Sequence, residues 1–422
     1  MSASSSKRKA ETLIKTGSKM AKTNVHPFFS GGASSSKSLL NWLPDLGGTC
    51  LHGVHNDPTP TSKAALFDLD GTLIRPKDGR KYPKGADDWE WWNSRVKRTL
   101  TQAAEDGFSI VIVSNQAGFT GGKADKRRTE WKAKIAQMAA QLPEIPFRVF
   151  AATDYDQYRK PLIGIWQALQ AIHREQGREI EKEESYFVGD AAGRAGDHSC
   201  TDQLFALNCG LKFLTPEEYF LHQKPTPFTL KGFHPSSLPI ADALFSPTST
   251  PLLPDESEVS TEIILFVGYP SCGKSSFYEK IFSGTDYVRV NQDTLGSVQK
   301  CVKLVKESTS KGRSCVVDNT NRDIATRAKY IAIAQERRIP IRCFNFSASL
   351  ELAKHNNIYR AYFATTSVGE KRRELLPDSA FYSFRNAYQA PKLEEGFSEV
   401  KTINWVFDGT DADRELWNIW SS

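Results

Sequence analysis

The chain has 422 residues, of which 39% are hydrophobic and 25% charged, with a formal net charge of +6. This length exceeds what one compact core organises, so we expect two domains of ordinary globular composition. The seven cysteines form no C-x-x-C pair, which argues against a disulfide framework and a zinc knuckle. No apolar run reaches the roughly 18 residues of a membrane span, and no secretory signal opens the chain. These features predict a protein of a reducing, intracellular compartment.

The first 56 residues are rich in Ser, Lys, Gly and Thr. Such a segment buries too little apolar surface to offset its ordering entropy, so we predict a disordered basic tail over 1–56. Residues 6–9 (SKRK) form a short basic cluster that is typical of a nuclear import signal, with solvated charge as the alternative. Nuclear localisation is the expectation.

The tail also carries an aliphatic residue three positions before a Phe pair, at Val25, Phe28 and Phe29. This spacing resembles a degenerate sliding-clamp-binding peptide, with Lys22 where the pattern normally has Gln. An apolar cluster in a polar tail predicts peptide-mediated docking to some partner.

From residue 57 onwards, short apolar runs alternate with amphipathic stretches, which predicts βαβ units and a parallel sheet. Residues 224–258 are dense in Pro and Ser and predict a linker, and the same alternation resumes over 259–422. The predicted fold class is α/β, with one doubly wound parallel-sheet domain over 57–223 and another over 259–422.

Two carboxylates follow the first apolar run, at Asp68 and Asp70. Side chains two positions apart at the end of a strand point the same way, so one carboxylate can attack phosphorus while the other moves protons. A surface pair in a turn is the alternative. Thr72, two residues further on, can donate to a phosphate oxygen.

Polar residues also end two later apolar runs of this half: Ser114 and Asn115, which suit phosphate binding, and Asp190, which suits a metal. Lys160, followed by Pro161, opens a helix and supplies a fixed cation. Ligands bind at the carboxyl ends of the strands in open α/β sheets, so these residues predict one phosphate site. The short gaps between them leave no room for a large cap domain. Trp89, Trp91 and Trp92 could offer stacking faces at the entrance, although core packing is expected for at least two of them.

The second half opens with a P-loop, because residues 268–275 (GYPSCGKS) fit G-x-x-x-x-G-K-[ST] between an apolar run and a helix-compatible stretch. Its backbone N–H groups would cradle phosphates, Lys274 would reach the β and γ oxygens, and Ser275 would ligate Mg²⁺. The predicted ATP-binding residues of the loop are Gly268, Ser271, Cys272, Gly273, Lys274, Ser275 and Ser276.

Two further apolar runs of this half end in polar residues. Asp293 is placed as a base for an acceptor hydroxyl, with a helix N-cap as the alternative. Asp318, Asn319 and Asn321 suit contacts to metal water and substrate. Arg360 could close over ATP phosphates, although a solvated helix face is an equal alternative.

The first site resembles the haloacid-dehalogenase-type phosphatases. That resemblance implies that Asp68 is the nucleophile, that Asp70 is the general acid and base, and that Ser114 and Lys160 hold phosphoryl oxygens. It also implies Mg²⁺ between Asp68, the Asp70 carbonyl and Asp190, and makes Asp197 a plausible further acid near the metal.

Both halves together resemble the bifunctional polynucleotide kinase 3′-phosphatases of eukaryotic DNA repair, without a forkhead-associated domain. The resemblance is carried by residues 67–74 (FDLDGTLI), 158–161 (YRKP), 188–194 (VGDAAGR), 290–296 (VNQDTLG), 318–321 (DNTN), 355–357 (HNN) and 390–397 (APKLEEGF). It implies removal of 3′-phosphates and ATP-dependent phosphorylation of 5′-hydroxyls at DNA nicks, gaps and breaks. By this resemblance Asp293 is the kinase base, Lys274 and Ser275 serve ATP and Mg²⁺, and Arg360 is a lid residue. A monomer is expected.

Three alternatives stay open at this point. An RNA end-healing kinase/phosphatase would use the same two sites, because sugar identity depends on contacts to the 2′-hydroxyl. A scaffold with a degenerate catalytic domain is disfavoured, since competent residues occupy the named positions. A metabolite kinase fused to a small-molecule phosphatase is disfavoured by the missing cap.

Overall fold

The computed structural model describes residues 40–421, apart from 81–82, 117–118, 120–121, 123, 240–242, 255–259 and 365–372. The described part holds two α/β halves, each built on one twisted sheet. The predicted fold class is therefore confirmed, with the addition of antiparallel strands at the edge of each sheet.

The first half contains a seven-stranded sheet in the order β1-β2-β7-β6-β3-β8-β9. The strands of this half are β1 (Leu40–Leu46), β2 (Cys50–His55), β3 (Lys63–Phe67), β4 (Ile74–Arg75), β5 (Glu90–Trp91), β6 (Phe108–Asn115), β7 (Phe147–Ala152), β8 (Tyr186–Val188) and β9 (Lys212–Leu214). The helices are α1 (Val96–Glu105), α2 (Ala124–Ala140), α3 (Gly164–Glu175), α4 (Thr201–Cys209) and α5 (Pro216–Leu221). Strands β3, β6, β7, β8 and β9 run parallel, and β4 pairs with β5 as a separate short hairpin.

The central strands of this sheet are almost continuously apolar because helices cover both of their faces. Strand β3 alternates its side chains between two core clusters: Ala65 and Phe67 pack on one face, and Ala64 and Leu66 on the other. Its buried apolar run ends at Phe67, so the acidic residues that follow emerge at the carboxyl edge of the sheet.

The predicted tail differs from the structure at its C-terminal end. Residues 40–55 form β1 and β2 rather than continuing the tail, and β2 pairs antiparallel with β7 over its full length. These strands are ordered by a partner nearly 100 residues away, which local composition does not reveal. Residues 6–9 and the docking peptide at Val25, Phe28 and Phe29 lie outside the described residues.

The second half contains a six-stranded sheet in the order β10-β15-β14-β11-β13-β12. Its strands are β10 (Phe245–Ser246), β11 (Ile263–Val267), β12 (Val288–Val290), β13 (Cys315–Val317), β14 (Ile341–Phe346) and β15 (Glu399–Ile403). Its helices are α6 (Lys274–Ile281), α7 (Gln292–Leu295), α8 (Val298–Thr309), α9 (Ile324–Arg337), α10 (Leu350–Tyr362), α11 (Asp378–Ala387) and α12 (Asp411–Trp417). All strand pairs are parallel except β10 with β15.

The Pro/Ser-rich segment over 224–258 is more than a spacer. It supplies β10 to the edge of the second sheet, and Lys401 donates from that sheet to the carbonyls of Pro247 and Thr250. The linker is thus fastened to the second half by strand pairing and by hydrogen bonds from the Lys401 side chain.

The two halves also contact each other through the C-terminal residues. Ile419 and Phe363 pack into a cluster whose other buried members belong to the first half, among them Ile163 and Trp166. The Asn208 amide donates to the Trp420 carbonyl at 2.9 Å, and the Trp420 N–H donates back at 2.7 Å. None of the described helices is long and apolar enough to cross a membrane.

Candidate active sites

The first site lies at the carboxyl ends of β3, β6 and β8. Asp68 follows β3 directly, and its N–H donates to the carbonyl of Val188 at 2.8 Å. The chain then turns at Gly71, whose φ is +95° and where a Cβ atom would lie 2.5 Å from Asp190 Oδ2. Only glycine permits this turn and this close approach, so Gly71 is what lets Asp190 lie beside the loop that follows Asp68.

Lys160 is the buried cation of this site. Its Nζ lies 2.6 Å from Asp68 Oδ1 and 2.7 Å from Asp202 Oδ1, and it also donates to the Val113 carbonyl. Burial alone would lower the pKa of this amine, but Asp202 and Asp68 together raise it to about 12. Lys160 therefore carries its charge at every physiological pH and holds Asp68 in a fixed orientation.

Asp202 was not predicted from the sequence. It lies on α4, is 2% exposed, and accepts from the N–H of Ala191 at 3.0 Å. Carboxylate oxygens of Asp68, Asp190 and Asp202 all lie within 4.8 Å of one another. No spacing rule links a helix residue to the ends of distant strands, so only the fold brings this third acid to the site.

This carboxylate cluster fits a divalent cation. Burial raises the pKa of Asp68 to about 7, with the neighbouring carboxylates adding to the effect of burial and Lys160 opposing it. Burial and then Asp68 and Asp202 raise the pKa of Asp190 to about 8. Like charges packed in a dry site disfavour ionisation, and a hard cation with oxygen ligands relieves that repulsion. Asp68, Asp190 and the backbone carbonyl of Asp70 are the groups that would hold Mg²⁺.

Asp70 lies at the open side of the same site, with about 45% of its side chain exposed. The Gln116 amide donates to Asp70 Oδ2 at 2.7 Å and to Ser114 Oγ at 2.9 Å. Lys134 of α2, itself 5% exposed, has its Nζ 3.8 Å from Asp70 Oδ1. Neither Gln116 nor Lys134 was singled out in the sequence, and both link α2 and β6 to the residue placed to move protons.

Of three further sequence predictions, two differ from the structure here. Asn115 lines the cleft as predicted, but its side chain accepts from the N–H of Lys160 and donates to its carbonyl, so it also positions Lys160. Thr72 is fully buried and lies off the cleft surface. Asp197 accepts from the backbone and guanidinium of Arg194, so it is not part of the acidic cluster, and Asp202 takes the place expected for it.

The floor of an open cleft of about 1070 Å³ is formed by Asp68, Asp70, Ser114, Lys160, Asp190 and Asp202. Only the β4–β5 hairpin, the helices and short loops surround it in the part of the chain that the structure describes, so no large cap covers it. Trp89 is 6% exposed, and Trp91 and Trp92 pack against the same core, so none of them lines this cleft. Basic side chains line its walls: Arg75, Arg80, Lys84, Arg127, Lys134 and Arg159.

The second site is the P-loop between β11 and α6. Gly273 adopts φ +94° as the residue before α6, and Ser271 also has a left-handed φ of +61°. The Cys272 side chain is buried, and a Cβ atom at Gly268 would lie 2.9 Å from its Sγ. The loop is thus closely packed, with its backbone N–H groups at the helix N-terminus, where phosphate is favoured. Ser276 follows Ser275 on the exposed side of α6.

Lys274 and Ser275 begin helix α6. Lys274 Nζ folds back and donates to the carbonyls of Gly268, at 2.9 Å, and Tyr269. Ser275 Oγ donates to Asp318 Oδ2 at 2.9 Å, and the Arg289 guanidinium donates to the same oxygen at 2.6 Å. Arg289 was not predicted from the sequence. A hydroxyl paired with a buried carboxylate beside a P-loop is the usual protein contribution to a nucleotide-bound Mg²⁺.

Asp293 lies on α7, where its N–H donates to Asn291 Oδ1. The helix cap is therefore Asn291, which leaves the Asp293 carboxylate exposed at the edge of the sheet. Burial lowers the pKa of Arg360 to about 10, Arg373 adds to that effect, and Asp293 opposes it. Arg360 is therefore a half-buried cation whose charge interacts with that of Asp293, and not a solvated helix residue.

The two amides predicted to contact substrate are used by the protein itself. Asn319 Oδ1 accepts from the N–H of Gln292, and Asn321 donates to the carbonyls of Phe266 and Val317. These hydrogen bonds hold the ends of β11, β12 and β13 together. Asn319 and Asn321 therefore serve the site indirectly, by helping to position Asp293 and Asp318.

Comparison with known proteins agrees with this division into two sites. Residues 63–220 match the family model described as polynucleotide kinase 3 phosphatase, and residues 263–391 match an AAA domain model. The chain is 39% identical over 360 residues to the bifunctional polynucleotide phosphatase/kinase of Schizosaccharomyces pombe, covering 85% of this chain and 83% of that protein. A protein of Acanthamoeba polyphaga mimivirus is 31% identical over 412 residues, covering 90% and 91%. The polynucleotide 3′-phosphatase of Saccharomyces cerevisiae is 28% identical over 204 residues, covering 36% and 85%.

The fold and the two sites define a phosphatase joined to a P-loop kinase in one chain. Its phosphatase half precedes its kinase half, as the matched ranges show. The chain belongs to the bifunctional polynucleotide phosphatase/kinase family.

Proposed function

We propose that this protein removes phosphate from the 3′ ends of DNA strands and phosphorylates 5′-hydroxyl ends with ATP. The observation that carries the proposal is the open, basic cleft over Asp68 in a chain that also holds a complete P-loop. A polymer end can enter such a cleft, and its phosphodiesters suit the basic walls. The products, a 3′-hydroxyl and a 5′-phosphate, are the ends that strand joining needs, which is the basis for a role in DNA repair.

In the phosphatase half, Asp68 attacks phosphorus while Lys160 holds its carboxylate and balances charge on the phosphoryl group. The bond from phosphorus to the 3′ oxygen breaks, and Asp70 gives its proton to that oxygen. A water molecule then attacks the aspartyl-phosphate, and Asp70 takes its proton, which releases inorganic phosphate and restores Asp68. Mg²⁺ bound by the acidic cluster would neutralise charge on the phosphoryl oxygens.

In the kinase half, the P-loop backbone and Lys274 bind the phosphates of ATP, and Ser275 with Asp318 would hold the accompanying Mg²⁺. Asp293, exposed at the sheet edge, accepts the proton of the incoming 5′-hydroxyl. Arg360, a half-buried cation of α10, balances the charge that passes from the γ-phosphate to the product. Catalysis therefore depends on positioning and charge, with one proton transferred to Asp293.

The test is a comparison of substrates with the full chain. Nicked DNA, single-stranded DNA, RNA of the same sequence and free 3′- or 5′-nucleotides are assayed side by side for phosphate release and for transfer from ATP. The proposal expects DNA strands to be processed faster than free nucleotides at equal concentration of ends. Equal turnover of free nucleotides would contradict a polymer substrate, and faster turnover of RNA would favour RNA end healing instead.

The cellular setting is a separate part of the proposal. A nuclear location rests on the basic residues 6–9, and docking to a sliding clamp or another partner rests on Val25, Phe28 and Phe29. Deleting residues 1–39 in cells should disperse a nuclear protein without loss of either activity. Unchanged nuclear accumulation of the truncated chain would contradict the assignment of residues 6–9.

A further inference from the structure

We propose that Tyr155 is a stacking platform for a nucleobase next to the scissile 3′-phosphate. This inference rests on the proposed function, because it assigns part of the substrate to a place in the phosphatase cleft. The proposed subsite would bind the base, whereas the catalytic residues contact only the phosphoryl group and its metal.

The exposure of Tyr155 is the first observation. Its side chain is 68% exposed, although it lies on the loop between β7 and Lys160 and lines the same cleft as Asp68 and Asp70. It is the most exposed large hydrophobic side chain among the described residues. Exposing a large ring in a cleft is unfavourable in water, so a ligand that covers it gains apolar burial.

The contact with Arg159 is the second observation. The guanidinium carbon of Arg159 lies 4.4 Å from the centre of the Tyr155 ring, so one face of the ring is covered by a cation. Arg159 is half-buried and directly precedes Lys160, the residue that holds Asp68. The ring is therefore fixed relative to the catalytic carboxylate, while its large exposed area leaves the other face open.

The loop that carries Tyr155 is held at both ends. The Thr153 N–H donates to the Thr49 carbonyl at 2.8 Å, and the Arg159 N–H donates to the Asp156 carbonyl at 3.1 Å. The Tyr155 N–H itself donates to Asp154 Oδ1 at 2.7 Å. A fixed aromatic face loses little freedom when a base stacks on it, which is what a binding platform requires.

The chemistry of the cleft indicates which kind of ligand would bind there. Basic walls attract phosphodiesters, the floor takes the terminal phosphate, and an aromatic face beside a guanidinium suits a flat, weakly polar ring. A nucleobase of the strand that ends in the 3′-phosphate combines these features. Stacking accepts every base, so the platform favours strand ends over small phosphate esters without reading sequence.

The experiment compares Tyr155→Ala with wild type on two single-stranded oligonucleotides that end in a 3′-phosphate. One is unmodified, and the other has abasic residues at its last two positions. For wild type we expect the unmodified strand to have a kcat/KM about 5- to 100-fold higher, mainly through KM. For Tyr155→Ala we expect that ratio to fall to about one, with kcat unchanged and the abasic strand turned over as by wild type.

Two further variants separate stacking from support of the loop. Tyr155→Trp keeps an aromatic face and should keep the preference for the unmodified strand. Tyr382→Ala removes an exposed tyrosine that also lies against an arginine, Arg385, but on the kinase half, and should change neither substrate.

Three results would contradict either the stacking platform or the proposed function. Equal losses on both strands in Tyr155→Ala would mean that the ring only supports Arg159 and would overturn the platform. An undiminished preference in Tyr155→Ala would overturn it as well. Failure of wild type to dephosphorylate the unmodified strand would instead contradict the proposed function itself.

Discussion

The ammonium of Lys160 lies 2.7 Å from Asp202 and 2.6 Å from Asp68, and all three side chains are largely buried. The two carboxylates share one cation, so each depends on the other for the orientation of Lys160. Asp202 thus helps to position Lys160 and Asp68, although it lies on a helix that follows the last strand-end acid.

Asp202→Asn tests this dependence. Because the change removes one charge partner of a buried lysine and one acid of the cluster, we expect phosphate removal to fall by about 100-fold or more. Kinase activity of the same preparation, which reports folding, should stay within about twofold. Asp197→Asn is the matched control, since Asp197 pairs with Arg194 outside the acidic cluster. Equal losses in the two variants would contradict the assignment of Asp202.

The strand-end residues of the first site could be predicted from the sequence, whereas its helix residues could not. Asp68 and Asp190 come within two residues of an apolar run, and parallel strands bring such positions to one edge. Lys160 was predicted from the Lys-Pro pair that opens the next helix. Asp202 and Lys134 reach the site from helices, where no local pattern marks the side that faces it. The family resemblance suggested Asp197 as a further acid near the metal, because the sequence does not show that Arg194 already binds that carboxylate.

The boundary of the first half was missed for a related reason. Residues 40–55 are interrupted by a turn at Gly47 and Gly48 and follow a polar tail, which together are typical of loop. Their strand conformation depends on pairing with β7, a contact of long sequence separation. The apolar strands β3 and β11 carried enough local information to be found directly.

Asp318→Asn tests the kinase site. Asp318 has only 1% of its side chain exposed and accepts from Ser275 and Arg289, so removing its charge should misplace the hydroxyl that serves Mg²⁺. We expect ATP-dependent phosphorylation to fall by about 100-fold or more while phosphate removal is retained. Asp323→Asn is a control in the same half, because Asp323 caps α9 and asparagine caps a helix equally well. Full kinase activity in Asp318→Asn would contradict the assignment of Asp318 to the kinase site.

Asn208→Ala tests the contact between the halves. The amide bonds both backbone groups of Trp420 and also donates to the Pro161 carbonyl, so three hydrogen bonds are lost at one position. We expect a loss of about 1–3 kcal/mol in the free energy of unfolding and an earlier release of the C-terminal residues to limited proteolysis. Leu207→Ala, an exposed neighbour on the same helix, should change neither. Unchanged proteolysis of Asn208→Ala would show that the contact does not hold the halves together.

The stability of the kinase half should depend on pH through His355. Burial lowers the pKa of His355 from 6.5 to about 4, and its ring bonds the Trp417 carbonyl and the Ser421 hydroxyl as the neutral form. The unfolded chain takes up a proton below pH 6.5 and the folded one only near pH 4. The stabilisation is therefore fully present above about 6.5 and is lost as the pH falls towards 4, by up to about 3 kcal/mol. Urea unfolding at pH 7 and pH 5 should give a smaller difference for His355→Gln than for wild type, and an equal difference would contradict this account.

The central claim is that one chain holds two separate active sites for strand ends. A duplex with one labelled 3′-phosphate and one labelled 5′-hydroxyl reports both reactions in a single assay. Asp68→Asn should abolish loss of the 3′-phosphate and leave phosphorylation of the 5′ end, because only the first site loses its nucleophile. Lys274→Ala should do the reverse, since it removes the cation that binds ATP phosphates. Loss of both reactions in either folded variant would contradict the two-site account.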